Sequence, residues 1–180
     1  MQQFNVDTRV NFFRIADGTI REVAHLAGEE HAQKGGYFRL FYLPPNGWYY
    51  DMIELSSLWL GGGSNKDKLS KYELVSMEKA IRLAQRTESH ADISSWQSRA
   101  PQHGLYGGAV RLACKVDEIG AEPSQLIFSF SGLPEEADEA AMTMTARRMK
   151  SWRVSSVFID PIIKISNNAI LRQMFAPVGA

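Results

Sequence analysis

The chain has 180 residues, 44% of them hydrophobic and 22% charged, a composition that supports a folded core and excludes a disordered or low-complexity chain. Twenty basic residues balance twenty acidic ones, so no net field draws the protein to nucleic acid or to an anionic membrane. Cys114 is the single cysteine, which excludes an intrachain disulfide and a multi-cysteine metal site.

A lone cysteine fits a reducing compartment. The opening stretch MQQFNVDTRVNFFR carries Asp7 and two arginines and has no long apolar run, so it does not read as a secretory signal. No stretch approaches the ~18 apolar residues of a membrane span. The cytoplasm is therefore the expected location, and the length suits one domain over 1–180.

In chain order, Asp17-Gly18-Thr19 offers a helix cap, and Ile20, Val23, Ala24 and Ala27 follow at helical spacing, predicting a first helix that ends at Gly35-Gly36. Tyr37 to Leu43 and Trp48 to Leu55 are aromatic-rich runs around Pro44-Pro45-Asn46-Gly47, which predicts an antiparallel hairpin because Asn-Gly tolerates positive φ. After Gly61-Gly62-Gly63-Ser64-Asn65, Asp67 or Ser70 can start a second helix. It carries Leu74, Met77, Ile81 and Ala84 on one face and runs to about Glu88. Ser89 to Gly104 is polar and reads as a loop containing Pro101.

A second hairpin is expected from Val110, Leu112, Cys114 and Val116 alternating with Arg111, Ala113 and Lys115, and from Leu126, Phe128 and Phe130 alternating with Ile127 and Ser129. Gly132-Leu133-Pro134-Glu135-Glu136 then converts strand to helix, with proline and acidic residues suited to the first turn. Arg147, Arg148 and Lys150 suit its last turn, and Ala137, Ala140, Ala141 and Met144 permit close packing on a sheet. Arg153 to Ile159 can add an edge strand, and Ser166 to Phe175 a short last helix. The predicted fold is α+β, an antiparallel sheet of about five strands flanked by helices in the order α-β-β-α-β-β-α, with residues 151–180 as a C-terminal extension.

The strings LYGGAVRL and LIFSFSGLPEEADEAAMTMTARR contain Gly107-Gly108, Ser131-Gly132 and Asp138-Glu139, and VSMEKAIRLAQRTESHADIS contains Lys79-Ala80 and Thr87. In that order, residues 19–150 resemble the GlcG/HbpS-like family, also called the haem-degrading domain family and related to the PduO C-terminal domain, whose fold is profilin-like. The proline that usually follows the double glycine is replaced by Ala109-Val110-Arg111. The resemblance implies a binding or accessory role, haem or another tetrapyrrole as ligand, and a homo-oligomer.

For that ligand His90 and His103 are the candidate axial residues, because imidazole is the commonest protein ligand to haem iron. Gly107, Gly108, Ser131 and Gly132 are the candidate cleft residues, since missing side chains on successive strands would leave backbone open to a ligand. His25 reads as solvated, and His31, eleven residues beyond Ile20, as a residue at the edge of the core.

Asp138 and Glu139 read as helix-terminus charges, and the Gly61 to Ser64 stretch as a turn, since Lys66 lacks the G-x-x-x-x-G-K-[ST] spacing of a nucleotide site. Ser131 lacks the G-x-S-x-G context of a nucleophile. Three functions remain open on these residues: a small-ligand-binding protein, a small enzyme of the same fold acting on haem or an organic acid, and a non-catalytic oligomeric scaffold using its strand aromatics.

Overall fold

The computed structural model describes residues 6–44, 49–85, 92–114, 124–149 and 159–176. Among them the elements run α1 (Val6–Leu26), β1 (Gly35–Leu43), β2 (Ile53–Gly61), α2 (Leu69–Gln85), β3 (Ala109–Cys114), β4 (Ser124–Ser131), α3 (Glu135–Arg148), α4 (Ile159–Ser166) and α5 (Ala169–Phe175). The chain is α+β, and its four described strands form one antiparallel sheet in the order β2-β1-β4-β3.

Two-residue alternation decides which helix covers which face. Phe38 and Leu40 of β1, Leu126, Phe128 and Phe130 of β4, and Val110 and Leu112 of β3 point to the side that holds α1 and α3. Phe12 of α1 meets Phe38 and Phe128 there, at ring-centroid distances of 5.5 and 6.4 Å. Each such fully buried side chain contributes roughly 1.5–3 kcal/mol, so this face carries most of the apolar stabilisation. The opposite face receives α2, where Phe41, Ala109 and Ile127 pack against Ala80, Leu83 and Ala84, with half-buried Met52 and Met77 alongside. Polar contacts share this face: Ser129 Oγ donates to Ser76 O at 2.6 Å, and Arg39 reaches Ser76 Oγ at 3.3 Å and Glu54 Oε2 at 2.5 Å.

Helix α3 is buried all round from Ala137 to Ala146. The C-terminal segment explains why, because Ile162 of α4 and Leu171 of α5 belong to the same core cluster as α3 and enclose its outer side. Small side chains at positions 137, 140, 141 and 146 allow that double packing.

Several expectations are corrected. The first helix begins at Val6 and runs through Asp17-Gly18-Thr19. Asp17 is spent on tertiary contacts, accepting from Gly61 N and from Arg21 Nε, both at 2.7 Å, while Thr19 Oγ bonds Ile15 O. The apolar stripe thus starts upstream, at Phe12 and Ala16, and the helix stops at Leu26 before Gly28 at φ +129° rather than at Gly35. His31 consequently lies in the turns after the helix, where its Nδ1 is 2.9 Å from Lys34 Nζ.

The second strand is Ile53–Gly61, not Trp48 to Leu55, and Tyr49–Asp51 forms a 3-10 turn. Pairing with nine-residue β1 runs from Gly35↔Gly61 to Tyr42↔Ile53, so the connection is longer than the four-residue turn expected; residues 45–48 lie outside the described set. The expected last helix, Ser166 to Phe175, is α5, opened by Asn168, whose Oδ1 accepts from Leu171 N at 3.0 Å; the additional helix α4 ends at Ser166, with Asn167 (φ 51°) between the two. Of the expected strand Arg153 to Ile159, Ile159 opens α4 and the rest lies outside the described residues.

The face of α2 is also turned. Leu74 is 73% exposed, whereas Ser76, Lys79, Ala80, Leu83 and Ala84 face the sheet. Polar Ser76 and Lys79 can sit inward because the sheet offers them partners, and this leaves Leu74, Met77 and Ile81 beside Leu105 in an outer groove.

A cleft between α2, β4 and α3

At the end of β4 the chain turns through Gly132 and Leu133 into α3, while α2 crosses the same end of the sheet. A cleft of about 380 Å³ opens there. Lys71, Tyr72 and Val75 of α2 form one wall, Leu133, Pro134 and Glu135 the other, Tyr106 a third side, and Lys79, Ser131 and Asp138 the inner end.

Lys79 and Asp138 are 1% and 2% exposed, and Lys79 Nζ donates to Asp138 Oδ2 and to Phe130 O, both at 2.8 Å. Asp138 Oδ1 accepts from Leu133 N at 2.9 Å, which ties α3 to the turn that precedes it. Burial raises the Asp138 carboxyl to about 6, against the opposing pull of Lys79 and the Leu133 hydrogen bond. A carboxyl poised there changes charge near physiological pH, a property characteristic of functional clefts.

Neighbouring contacts fix the walls. Tyr72 packs against Trp59 at 6.2 Å between centroids, and Trp59 Nε1 donates to Gly62 O at 2.8 Å. Arg82 donates to Tyr106 O at 2.5 Å, Ser95 O at 3.0 Å and Ser98 Oγ at 3.1 Å, so the polar segment before β3 is strapped to α2. Glu135 Oε2 accepts from Gly107 N at 2.8 Å and lies 3.8 Å from Arg99, whose guanidinium stacks over Trp96.

Glu139, the next residue of α3, faces away from the cleft into a separate buried network. Its Oε1 accepts from Ser94 Oγ, and its Oε2 accepts from Asn168 Nδ2 at 2.9 Å. Burial raises its carboxyl above the ordinary range while these hydrogen bonds oppose the rise. Asp138 thus stands in the first turn of α3 as a helix-terminus charge, and both it and Glu139 are also buried and partnered, which the sequence did not show.

The structure separates the sequence candidates. Ser131 lines the cleft. Gly107, Gly108 and Gly132 surround it, but their missing side chains make room for protein. A Cβ at Gly108, where φ is +113°, would stand 2.5 Å from Asp138 Cβ and 2.7 Å from Lys79 Nζ. One at Gly107 would meet the Trp96 ring, and one at Gly132 the backbone of Gly35 and Gly36. The glycines admit the ion pair and the strand crossing, which corrects the expectation that they leave backbone open to a ligand. His103 is exposed on a 3-10 turn (Pro101–His103) and does not line the cleft; His25 is exposed, and His90 lies outside the described residues.

Lys79, Tyr72, Tyr106 and Arg82 were not legible as site residues. Lys79 carried one signal: it stands three residues after Ser76 and four before Leu83, so a charged residue sits in line with a buried stripe. Among the described residues no group of three or more His, Cys, Asp or Glu side chains could hold a metal ion, and no helix is long and apolar enough to cross a membrane.

Fold and cleft together define an α+β protein with an ion-paired cleft at the junction of two helices and a central strand. No family model matches the chain, and no curated protein or solved structure matches it.

Proposed function

We propose that this chain is a small-ligand-binding protein and that the cleft between α2, β4 and α3 is its site. One observation carries the reading: an open cleft of about 380 Å³ ends on the buried Lys79–Asp138 pair. Ligand sites are concave, mostly apolar spaces of roughly 300–1,000 Å³ with a few convergent polar groups, and Tyr72, Val75, Leu133 and Pro134 supply the apolar walls here. The test is a thermal-shift screen of small aromatic fragments on the wild type and on Val75→Trp, which narrows the cleft from its half-buried wall. Stabilisation of the wild type alone is expected; fragments that stabilise both equally, or neither, defeat the reading.

Haem is the ligand that the resemblance implies, and it enters as a proposal resting on that resemblance. Among the described residues no histidine lines the cleft, so those residues do not fit a histidine-ligated haem. His103 is exposed outside the lining, where it is available only for ligation at the surface. A haemin titration of the wild type and His103→Ala decides: a saturable Soret change lost in the variant supports surface ligation, and no saturable change removes haem.

The scaffold reading is favoured by a different observation, the apolar groove of Leu74, Met77, Ile81 and Leu105 on the outer side of α2. Sedimentation of the wild type and Leu74→Arg tests it, since an oligomer built on this groove dissociates when Leu74 is charged.

A further inference from the structure

The inner end of the cleft holds hydrogen-bond donors in excess of its acceptors. Ser131 is 5% exposed, and its Oγ makes no hydrogen bond to any described residue. Ser129, two positions earlier on the same face of β4, gives its hydroxyl to Ser76 O; past that point α2 presents Lys79 instead of a free carbonyl. Lys79 is equally buried, and its ammonium has three N–H donors, of which Phe130 O and Asp138 Oδ2 take two. Both residues line the cleft, so Ser131 Oγ and the third Lys79 N–H are donors at its inner end that no described residue takes.

The carboxylates are held by the protein. Asp138 uses both oxygens, on Lys79 and on Leu133 N, and Glu135 Oε2 is held by Gly107 N beside Arg99. With Lys71 on the opposite wall, the cationic groups around the cleft are Lys71, Lys79 and Arg99, against Glu135 and Asp138. A ligand cation therefore meets carboxylates that are bonded and offset, whereas a ligand acceptor meets donors that are not.

We propose that the cleft takes a small monocarboxylic acid with an apolar or aromatic body, its carboxylate accepting hydrogen bonds from Ser131 Oγ and Lys79 Nζ. The body lies between Tyr72 and Val75 on one side and Leu133 and Pro134 on the other. This inference rests on the reading of the cleft as a ligand site and adds the chemical class.

The experiment uses three ring compounds of matched size, benzoate, benzamide and benzylammonium, titrated calorimetrically into the wild type and Ser131→Ala. Benzoate is expected to bind tightest, and Ser131→Ala to weaken it about tenfold, the loss of one hydrogen bond to a charged group. The variant removes an atom that bonds no described residue, and a thermal melt alongside checks its fold. Benzamide or benzylammonium binding more tightly than benzoate overturns the carboxylate assignment while leaving a ligand site. Benzoate binding unchanged in Ser131→Ala overturns the role of Ser131, and no binding by any of the three overturns both the class and the site.

Discussion

Lys79 and Asp138 are 59 positions apart in the chain, yet Lys79 Nζ lies 2.8 Å from Asp138 Oδ2 with both side chains out of solvent. The pair closes the inner end of the cleft and joins α2 to α3 across the end of β4. Gly108 packs directly on it, so one short stretch of backbone depends on the pair and the pair depends on that stretch.

The carboxyl of Asp138 should titrate near pH 6, measured by its side-chain ¹³C shift. An unfolded aspartate titrates near ~3.9, so between those values the native state binds more protons than the unfolded chain. The stability contributed by this group is therefore fully present below the unfolded value and is lost as pH rises through about 6. In Lys79→Met the midpoint should climb further, because the charge that most opposes the rise has gone. A midpoint in the ordinary carboxylate range would contradict the burial.

Lys79→Met alone should destabilise the protein by about 3–5 kcal/mol, since Asp138 is left buried and unpaired. The double variant Lys79→Met, Asp138→Leu should recover much of that loss. Recovery stays incomplete because Phe130 O and Leu133 N lose their partners. Urea unfolding of the two single variants and the double variant gives the coupling; additive losses would show that the pair does not act as a unit.

Two glycine substitutions should have opposite signs. Gly108→Ala places a Cβ against Asp138 and Lys79 at a φ of +113° and should cost about 2–4 kcal/mol, strain and overpacking together. Gly18→Ala, in the middle of α1 with nothing within 4 Å of the added Cβ, should stabilise by about 0.5–1 kcal/mol. Chemical denaturation reads both, and a neutral Gly108→Ala would mean that the pair can move aside.

Glu139→Ala should remove the shared acceptor of Ser94 and Asn168, at a cost of about 2–3 kcal/mol. Ser94 caps the 3-10 turn Ser95–Ser98 and Asn168 caps α5, so the loss should be local as well as global. Hydrogen exchange should accelerate in both segments before it does in β1 and β4. Uniform acceleration would place the residue in the global core instead.

Local pattern made several elements legible. Leu126, Phe128 and Phe130 alternate along β4 because they pack on the side of α1 and α3, while Ile127 and Ser129 between them meet α2 on the other face. Pro134 with two acidic residues marked the start of α3, whose first turn needs no N–H from proline. The strand β2 was misplaced because the aromatic run before it has high strand propensity, while β2 itself is an edge strand, only partly buried, with Ser56-Ser57 at its centre.

The sequence by itself determined the α+β class of this chain, the two strands of the second hairpin, the start of α3 and the absence of an intrachain disulfide, all of which follow from neighbours within a few residues. It left undecided which face of α2 turns inward, why positions 107, 108 and 132 are glycine, and that Lys79 meets Asp138. Those were decided by the sheet order β2-β1-β4-β3, which brings α2 and α3 to the same end of β4 from opposite faces. A buried lysine is stable only where a carboxylate and a carbonyl arrive with it, and that arrival is set by packing across the sheet, not by any spacing along the chain.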